Sequence, residues 1–334
     1  MPPRALVTGA TGMVGSYIVE RLVADGWAVR ALVREPKAAA FLATMGVDLV
    51  QGDVLDPAGF AAAAAGCRAL FHCAALVSAS GGWERYRLAN VEGTRNAIAA
   101  AQGSGARLLH LSSVAVYGSS ARYRDRPTDE DTPLPPLTEP GVYARSKREA
   151  EMLVMAAHAE GRIWATAVRP DVIYGRRDRQ FVPRVARLLS HGVFPLLAGG
   201  RAKLAVVHAA SVADGAVRAV ACDTAGGRAY NLANDFPIAV REFLELGAHG
   251  LGRRARLIPV PVPLARGALR ALRAGLRVTR GTGVASQAAG TIDFLTRDNP
   301  FTSERARREL GWSPPVPPER GVPEAFRWWA LHRS

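Results

Sequence analysis

Cysteine is scarce in this chain. Only Cys67, Cys73 and Cys222 occur in 334 residues, too few and too scattered for a disulfide framework or a metal site, so a reducing compartment and no bound metal are expected. No run of 18 apolar residues is present, which excludes a helix long enough to cross a bilayer. The first strand begins at Arg4 with no charged segment, apolar stretch and cleavage site ahead of it, so the expected location is cytoplasmic. Lysine is as rare as cysteine. Lys37, Lys147 and Lys203 are the full set, so 40 of the 43 basic residues are arginine. The formal charge of +14 in so alanine-rich a chain reads as compositional bias rather than a polyanion surface, and no nucleic-acid partner is expected. An apolar content of 49% with 22% charged residues is that of a folded globular protein, not a disordered one.

Short apolar runs recur at residues 5–7, 28–33, 47–50, 69–73, 108–111 and 163–168. Amphipathic stretches at 14–24, 83–101 and 143–160 separate some of them. Continuous apolar strands alternating with helices predict an α/β protein with a doubly wound parallel sheet, buried on both faces. Past Arg169-Pro170 the pattern loosens into short strands at 204–207, 229–232 and 255–259. Two parts are therefore expected: a dinucleotide-binding domain over 1–168 and a smaller C-terminal α/β substrate lobe over 169–334, with some interleaving. The proline-rich stretch 132–140 is expected to be an ordered loop.

Thr8-Gly9-Ala10-Thr11-Gly12-Met13-Val14-Gly15 joins the first strand to the first helix. Gly9 allows a sharp exit from the strand, Gly12 lets backbone approach a phosphate, and Gly15 lets the helix pack closely on the sheet. Thr11, Met13 and Val14 complete the turn that would seat a pyrophosphate. At the end of the second strand the chain reads Val33-Arg34-Glu35-Pro36-Lys37. An acidic side chain there would hold ribose hydroxyls, whereas Arg34, with Lys37 as a second cation, suits a 2′-phosphate, so NADP(H) is expected ahead of NAD(H).

Tyr143 and Lys147 lie four residues apart in a helical stretch and so share a face. Hydride transfer at a carbon requires a proton to move at its oxygen, and a tyrosine with a pKa of about 10 is a poor base at neutral pH. Bringing it near 7 takes about 4 kcal/mol of differential stabilisation. The Lys147 ammonium is expected to contribute to that.

At this point the chain resembles the extended branch of the short-chain dehydrogenase/reductase family, which includes NAD-dependent epimerases and dehydratases, 3-beta-hydroxysteroid dehydrogenases and dihydroflavonol reductases. The motifs that carry the resemblance run in order along the chain: the glycine turn, Gly52-Asp53-Val54, His72-Cys73-Ala74-Ala75, Asn90-Val91-Glu92-Gly93-Thr94-Arg95-Asn96, Ser112-Ser113-Val114-Ala115-Val116-Tyr117-Gly118, the Tyr143/Lys147 pair and Arg169-Pro170-Asp171-Val172-Ile173-Tyr174-Gly175. The resemblance implies that Asp53 and Val54 face the adenine and that Cys73, Ala74 and Ala75 line the cofactor. It also implies that Pro170, Val172 and Ile173 flank the nicotinamide and that Lys147 holds the nicotinamide ribose. Ser113 becomes the serine that polarises the substrate carbonyl, with Ser112 as the alternative. A homodimer formed through the helices near 83–101 and 143–160 is also implied.

Within that branch, hydrophobic-ketone reductases and nucleotide-sugar epimerases share the same three catalytic residues. The sugar enzymes usually place an arginine followed by an acidic and an aromatic residue before the strand-end hydrophobics. Here the chain reads Arg201-Ala202-Lys203-Leu204, so an alcohol/ketone oxidoreductase acting on a sterol-like, 3-oxoacyl or flavonoid-like molecule is expected first. A nucleotide-sugar epimerase or dehydratase with tightly held NAD is the alternative. A non-catalytic dinucleotide sensor comes last, because Tyr143 and Lys147 are both intact. Arg266, Arg270, Arg273, Arg277 and Arg280 fall on one stripe about 80° wide if residues 264–280 are helical. Such a helix would suit an anionic membrane or an acyl-carrier substrate. The plainer reading is an amphipathic lid with arginine outward, and Gly267 and Gly275 weaken the helix in either case.

Overall fold

The computed structural model describes residues 1–77, 82–118, 127–134, 141–190, 192, 194–233, 236–267 and 292–332. The chain divides into two compact units. The first comprises residues 1–173, 207–235 and 301–315, and the second comprises 174–206, 236–300 and 316–334.

The first unit is built on β1 (Arg4–Thr8), β2 (Ala28–Val33), β3 (Asp48–Gln51), β4 (Ala69–His72), β5 (Arg107–Leu111) and β6 (Ala165–Pro170). Short strands β7 (Val172–Tyr174), β8 (Phe194–Leu197) and β9 (Val206–His208) follow, then β10 (Ala229–Leu232) and β11 (Leu257–Val260). A seven-stranded sheet runs in the order β3-β2-β1-β4-β5-β6-β10, and every pairing within it is parallel. This is the Rossmann-type, doubly wound α/β fold expected from the alternating pattern.

The helices explain why the strands read as uninterrupted apolar runs. They are α1 (Met13–Ala24), α2 (Ala40–Ala43), α3 (Pro57–Ala64), α4 (Trp83–Tyr86), α5 (Gly93–Ser104), α6 (Val142–Ala159), α7 (Phe181–Ser190), α8 (Ala209–Ala221) and α9 (Val240–Gly250). Ala5 and Val7 of β1 pack with Ile18 of α1 and Val212 of α8, whereas Leu6 packs on the other face with Phe60 of α3 and Ala97 of α5. Both faces of each central strand are therefore buried. Winding outward from β1 in both directions leaves a crevice at the carboxyl ends of β1 and β4, where such sheets bind their ligands.

Two features depart from the sequence expectations. The strand at 229–232, expected in the smaller lobe, is β10 and extends the main sheet: Ala229 to Leu232 pair with Ala167 to Pro170. Its residues are apolar enough to be covered on both sides, and the segment after it returns to the same unit, with Trp312 donating from Nε1 to the Ser211 carbonyl at 3.0 Å. The first unit takes in segments from beyond residue 168, namely 207–235 and 301–315. The stretch expected as one helix over 83–101 is α4, then a π-helical turn Arg87–Glu92, then α5. A π-turn shifts the facing of side chains by admitting an extra residue, and here it lies where Asn90 is turned into the core.

In the second unit, β8 and β11 pair in parallel. Helix α9 packs on the helix Pro318–His332, where Phe243 and Phe326 meet edge to face at 5.9 Å. Gly247 permits that approach, since a Cβ there would lie 2.9 Å from the Phe326 ring. Of the arginine stripe, Arg266 is described and lies 3.8 Å from Asp293. Arg270, Arg273, Arg277 and Arg280 lie outside the described residues.

Candidate active site

The glycine turn has the geometry its residues suggested. Gly9 has φ +67, and a Cβ on it would stand 2.7 Å from the Ala74 nitrogen, so both conformation and space demand glycine. A Cβ on Gly15 would lie 2.2 Å from the Gly9 carbonyl oxygen, which is how closely α1 rests on the turn. Gly12 is the N-cap of α1; no side chain caps it and no acidic residue occupies the first turn. A helix start with uncommitted N–H groups and no competing carboxylate fits a pyrophosphate.

Around this turn the motifs interlock. The Thr8 hydroxyl accepts from the Ala74 N–H at 3.2 Å and is hydrogen-bonded to His72 Nδ1 at 2.9 Å. Asn90 is buried and clamps the strand exit: its Oδ1 accepts from the Leu76 N–H at 2.6 Å, and its Nδ2 donates to the Leu76 carbonyl and to the Ser146 hydroxyl. The backbone at Cys73, Ala74 and Ala75 is thus held from both sides. Burial pushes the Cys73 thiol up to about 12, which makes it a packing residue rather than a nucleophile. Asp53 accepts from the Leu55 N–H at 2.9 Å. The Val54 carbonyl accepts from Asn96 Nδ2 at 2.8 Å, while its side chain lies where a Cβ on Gly93 would come within 3.2 Å. At the end of β2, Arg34 and Lys37 are exposed, and among the described residues neither forms an ion pair.

Ser113 caps the 3₁₀ turn Val114–Tyr117, its Oγ accepting from the Ala115 N–H at 3.1 Å. The same hydroxyl acts on the Tyr143 phenol, favouring its ionised form. Ser112 is buried, with no hydrogen-bond partner for its Oγ among the described residues. On α6, Lys147 is 3% exposed and its ammonium donates to the Leu111 carbonyl. The structure thus brings Ser113 and Tyr143 together, and sets Lys147 one helical turn further on.

The electrostatics differ from the sequence expectation. Burial raises the Tyr143 phenol above its ordinary value, the Ser113 hydroxyl opposes this, and Tyr86 adds to it. Desolvation accounts for the difference, because it disfavours a phenolate. Lys147 is itself lowered to about 8 by burial, with Glu151 opposing the shift.

Beneath these residues lies a polar network that sequence reasoning missed. Glu151 and Arg169, 5% and 7% exposed, are bidentate partners at 2.5–3.2 Å. Arg169 also donates to the Tyr117 hydroxyl at 2.7 Å, which in turn donates to Asn231 at 2.9 Å. The i,i+4 spacing of Lys147 and Glu151 was the available signal, but a partner on β6 is not written in it. His208 caps α8, accepting from the Ala210 N–H at 3.2 Å. A cavity of about 510 Å³ sits at the other edge of the sheet, beside Trp27, Arg68 and Phe71. Three other arginines there, Arg21, Arg107 and Arg218, are paired with Asp25, Asp214 and Asp223.

A sheet wound both ways from a glycine turn, with a hydroxyl pair beside its carboxyl edge, is the frame of a dinucleotide-dependent enzyme. More particularly, the chain belongs to the NAD dependent epimerase/dehydratase family, whose model matches residues 5–233. It is similar to 4-hydroxy-2-methyl-3-oxo-4-farnesyl-3,4-dihydroquinoline-1-oxide ketoreductase of Stigmatella aurantiaca, 32% identical over 96% of this chain and 94% of the relative. It is also similar to 2-alkyl-3-oxoalkanoate reductase of Stenotrophomonas maltophilia, 31% identical over 96% of this chain and 97% of the relative. UDP-glucuronic acid 4-epimerase of Bacillus cereus, solved in complex with NAD, shares the fold at TM-score 0.74 and 16% identity, covering 99% of this chain and 100% of that one. The protein is an NAD(P)-dependent enzyme of the extended short-chain dehydrogenase/reductase type.

Proposed function

We propose that the protein is an NADP(H)-preferring oxidoreductase that interconverts a secondary alcohol and a ketone on a hydrophobic substrate of sterol-like, 3-oxoacyl or flavonoid-like character. The Ser113 hydroxyl acting on the Tyr143 phenol supports this reading. Two hydroxyls converging at one point suit a single substrate oxygen. The pyridine nucleotide, when bound, supplies or accepts the hydride. Tyr143 gives its phenolic proton to the carbonyl oxygen in reduction and takes it back in oxidation. Ser113 donates to the same oxygen as charge develops on it. Lys147 delivers positive charge to the phenolate side of the site and would hold the nicotinamide ribose, while Gly9, Thr11, Gly12, Met13, Val14 and Gly15 take the pyrophosphate. Asp53, Val54, Cys73, Ala74 and Ala75 line the adenine and central parts of the cleft, and Pro170, Val172 and Ile173 flank the nicotinamide. Exposed Arg34 and Lys37 favour the phosphorylated cofactor.

Both curated relatives described above are named as reductases of carbonyl compounds carrying alkyl or farnesyl groups, which supports a hydrophobic ketone here. The test is a thermal-shift screen with NADP, NADPH, NAD and NADH, followed by ketone and alcohol panels with the preferred nucleotide. NAD retained through purification without exchange would favour the nucleotide-sugar reading instead. Replacing Tyr143→Phe is expected to lower turnover by at least about 100-fold with nucleotide affinity unchanged, and retained turnover would remove Tyr143 from its role. We further propose a homodimer through the segment 83–101 and α6, where Leu88 and Met152 are exposed at 39% and 59%.

A further inference from the structure

Asp171 belongs to none of the steps above, yet it stands at the carboxyl edge of the sheet. It is the single residue between β6 and β7. On the neighbouring strand the Ser112 N–H donates to the Val168 carbonyl at 2.8 Å, so three residues later the chain has passed the level of Ser113 and left the sheet on its ligand side. One oxygen of the carboxyl, Oδ1, accepts from the Val172 N–H at 2.8 Å. The other, Oδ2, is buried with no hydrogen-bond partner among the described residues. A buried carboxyl with an orphaned oxygen holds its proton until something cationic faces it. Burial accordingly lifts Asp171 to about 8, against the opposing Val172 bond.

In a cleft that takes a pyridine nucleotide, one group changes charge with every turnover: the nicotinamide ring, cationic when oxidised and neutral when reduced. Resting on the cofactor reading given above, we propose that Asp171 discriminates the redox state of the bound nucleotide. From the strand exit between Pro170 and Val172, its carboxyl would favour the oxidised ring when ionised and accommodate the reduced ring when protonated. A rise in pH would then shift the enzyme toward holding the oxidised cofactor, and neutral or acid conditions toward the reduced one.

Other titratable groups around the site must be separated from it. His72 on β4 and His110 on β5 are held neutral by burial, and Tyr143 on α6 is raised above its ordinary value by burial. Lys147 on α6, lowered to about 8, loses positive charge in the same window and would shift preference in the same sense. A variant at Asp171 is therefore essential.

The experiment measures dissociation constants of NADPH and NADP⁺ for the full chain by protein-fluorescence quenching from about pH 6.5 to about 9.5, spanning the window in which the carboxyl titrates. Taking the ratio of reduced to oxidised constants cancels the 2′-phosphate and every group that senses both forms alike. The wild-type ratio is expected to rise about tenfold across that range, or about 1.4 kcal/mol. Asp171→Asn, which keeps an oxygen for the Val172 N–H, is expected to flatten it; Asp171→Ser serves the same purpose should the first variant fold poorly. A flat wild-type ratio overturns the proposal, and so does a variant that keeps the wild-type slope, which would assign the effect to Lys147. If neither nucleotide binds at any pH, the proposed function fails together with this inference, whereas tight binding with a flat ratio removes this inference alone.

Discussion

At the scale of single residues, polar groups at the carboxyl edge of the sheet carry the argument. Ser113 caps a 3₁₀ turn through its Oγ and favours ionisation of the Tyr143 phenol. Its replacement, Ser113→Ala, is expected to lower kcat by about 100-fold or more, as loss of a donor to a developing oxyanion does, with nucleotide affinity little changed; steady-state kinetics beside nucleotide titration check this. Arg34→Ala is expected to weaken NADPH by about tenfold while leaving NADH nearly unaffected, because an exposed guanidinium on a phosphate contributes modestly. Equal weakening of both nucleotides would show that Arg34 does not meet the 2′-phosphate. The Tyr143/Lys147 pair was legible in the sequence, since a spacing of four puts two side chains on one helix face whatever surrounds the helix. The direction of the Tyr143 shift was not. It depends on how much water the folded chain leaves around the phenol and on where the Lys147 ammonium is anchored, and neither is a local property.

At the scale of elements, helix α6 is tied to the sheet by a buried ion pair. Arg169 of β6 grips Glu151, one turn beyond Lys147, so the pair fixes the helix that carries Tyr143 and Lys147 against the strand that leads to Asp171. Removing one partner strands the other charge. Arg169→Leu is expected to cost about 3–5 kcal/mol of stability, whereas Arg169→Leu combined with Glu151→Leu should be milder, because the double change leaves no uncompensated charge. Chemical denaturation of the three proteins checks the order, and a double variant less stable than the single would refute it. Strands β2 and β10 have the bounds their apolar runs suggested, and α1 and α6 lie within a residue of expectation. The π-turn at Arg87–Glu92 was illegible because its cause is Asn90 reaching Leu76 and Ser146, contacts made across the fold rather than along the helix.

At the scale of the whole molecule, buried imidazoles predict acid lability. His72 and His110 stack with ring centroids 5.9 Å apart inside the sheet, and burial holds His72 down to about 3. Below the unfolded histidine value of about 6.5 the unfolded chain binds protons that the folded chain refuses, so stability falls by about 1.4 kcal/mol per unit per histidine as pH drops toward 3. Asp171 acts in the opposite sense between about 4 and about 8, because the folded form holds a proton the unfolded form has lost. Glu130 and Asp178, also raised by burial, act in the same sense as Asp171. His72→Asn is therefore the informative change: the melting temperature is expected to be more resistant to acidification below about pH 6.5 than in the wild type, and an unchanged slope would remove His72 as a contributor. Among the described residues no helix is long and apolar enough to cross a membrane.

By itself, the sequence determined the parallel α/β sheet, the glycine turn, the helical pairing of Tyr143 with Lys147 and the membership in a dinucleotide-dependent family. The first three follow from periodicity and short-range spacing, which act over a few residues and survive any tertiary context; the family came from the resemblance of motifs ordered along the chain. Only the tertiary structure decided that β10 completes the main sheet, that Arg169 locks α6 in place, that burial opposes the ionisation of Tyr143, and that Asp171 is left with a buried, unpartnered oxygen. Those depend on which distant segments exclude water from which groups, and desolvation is a property of the folded whole.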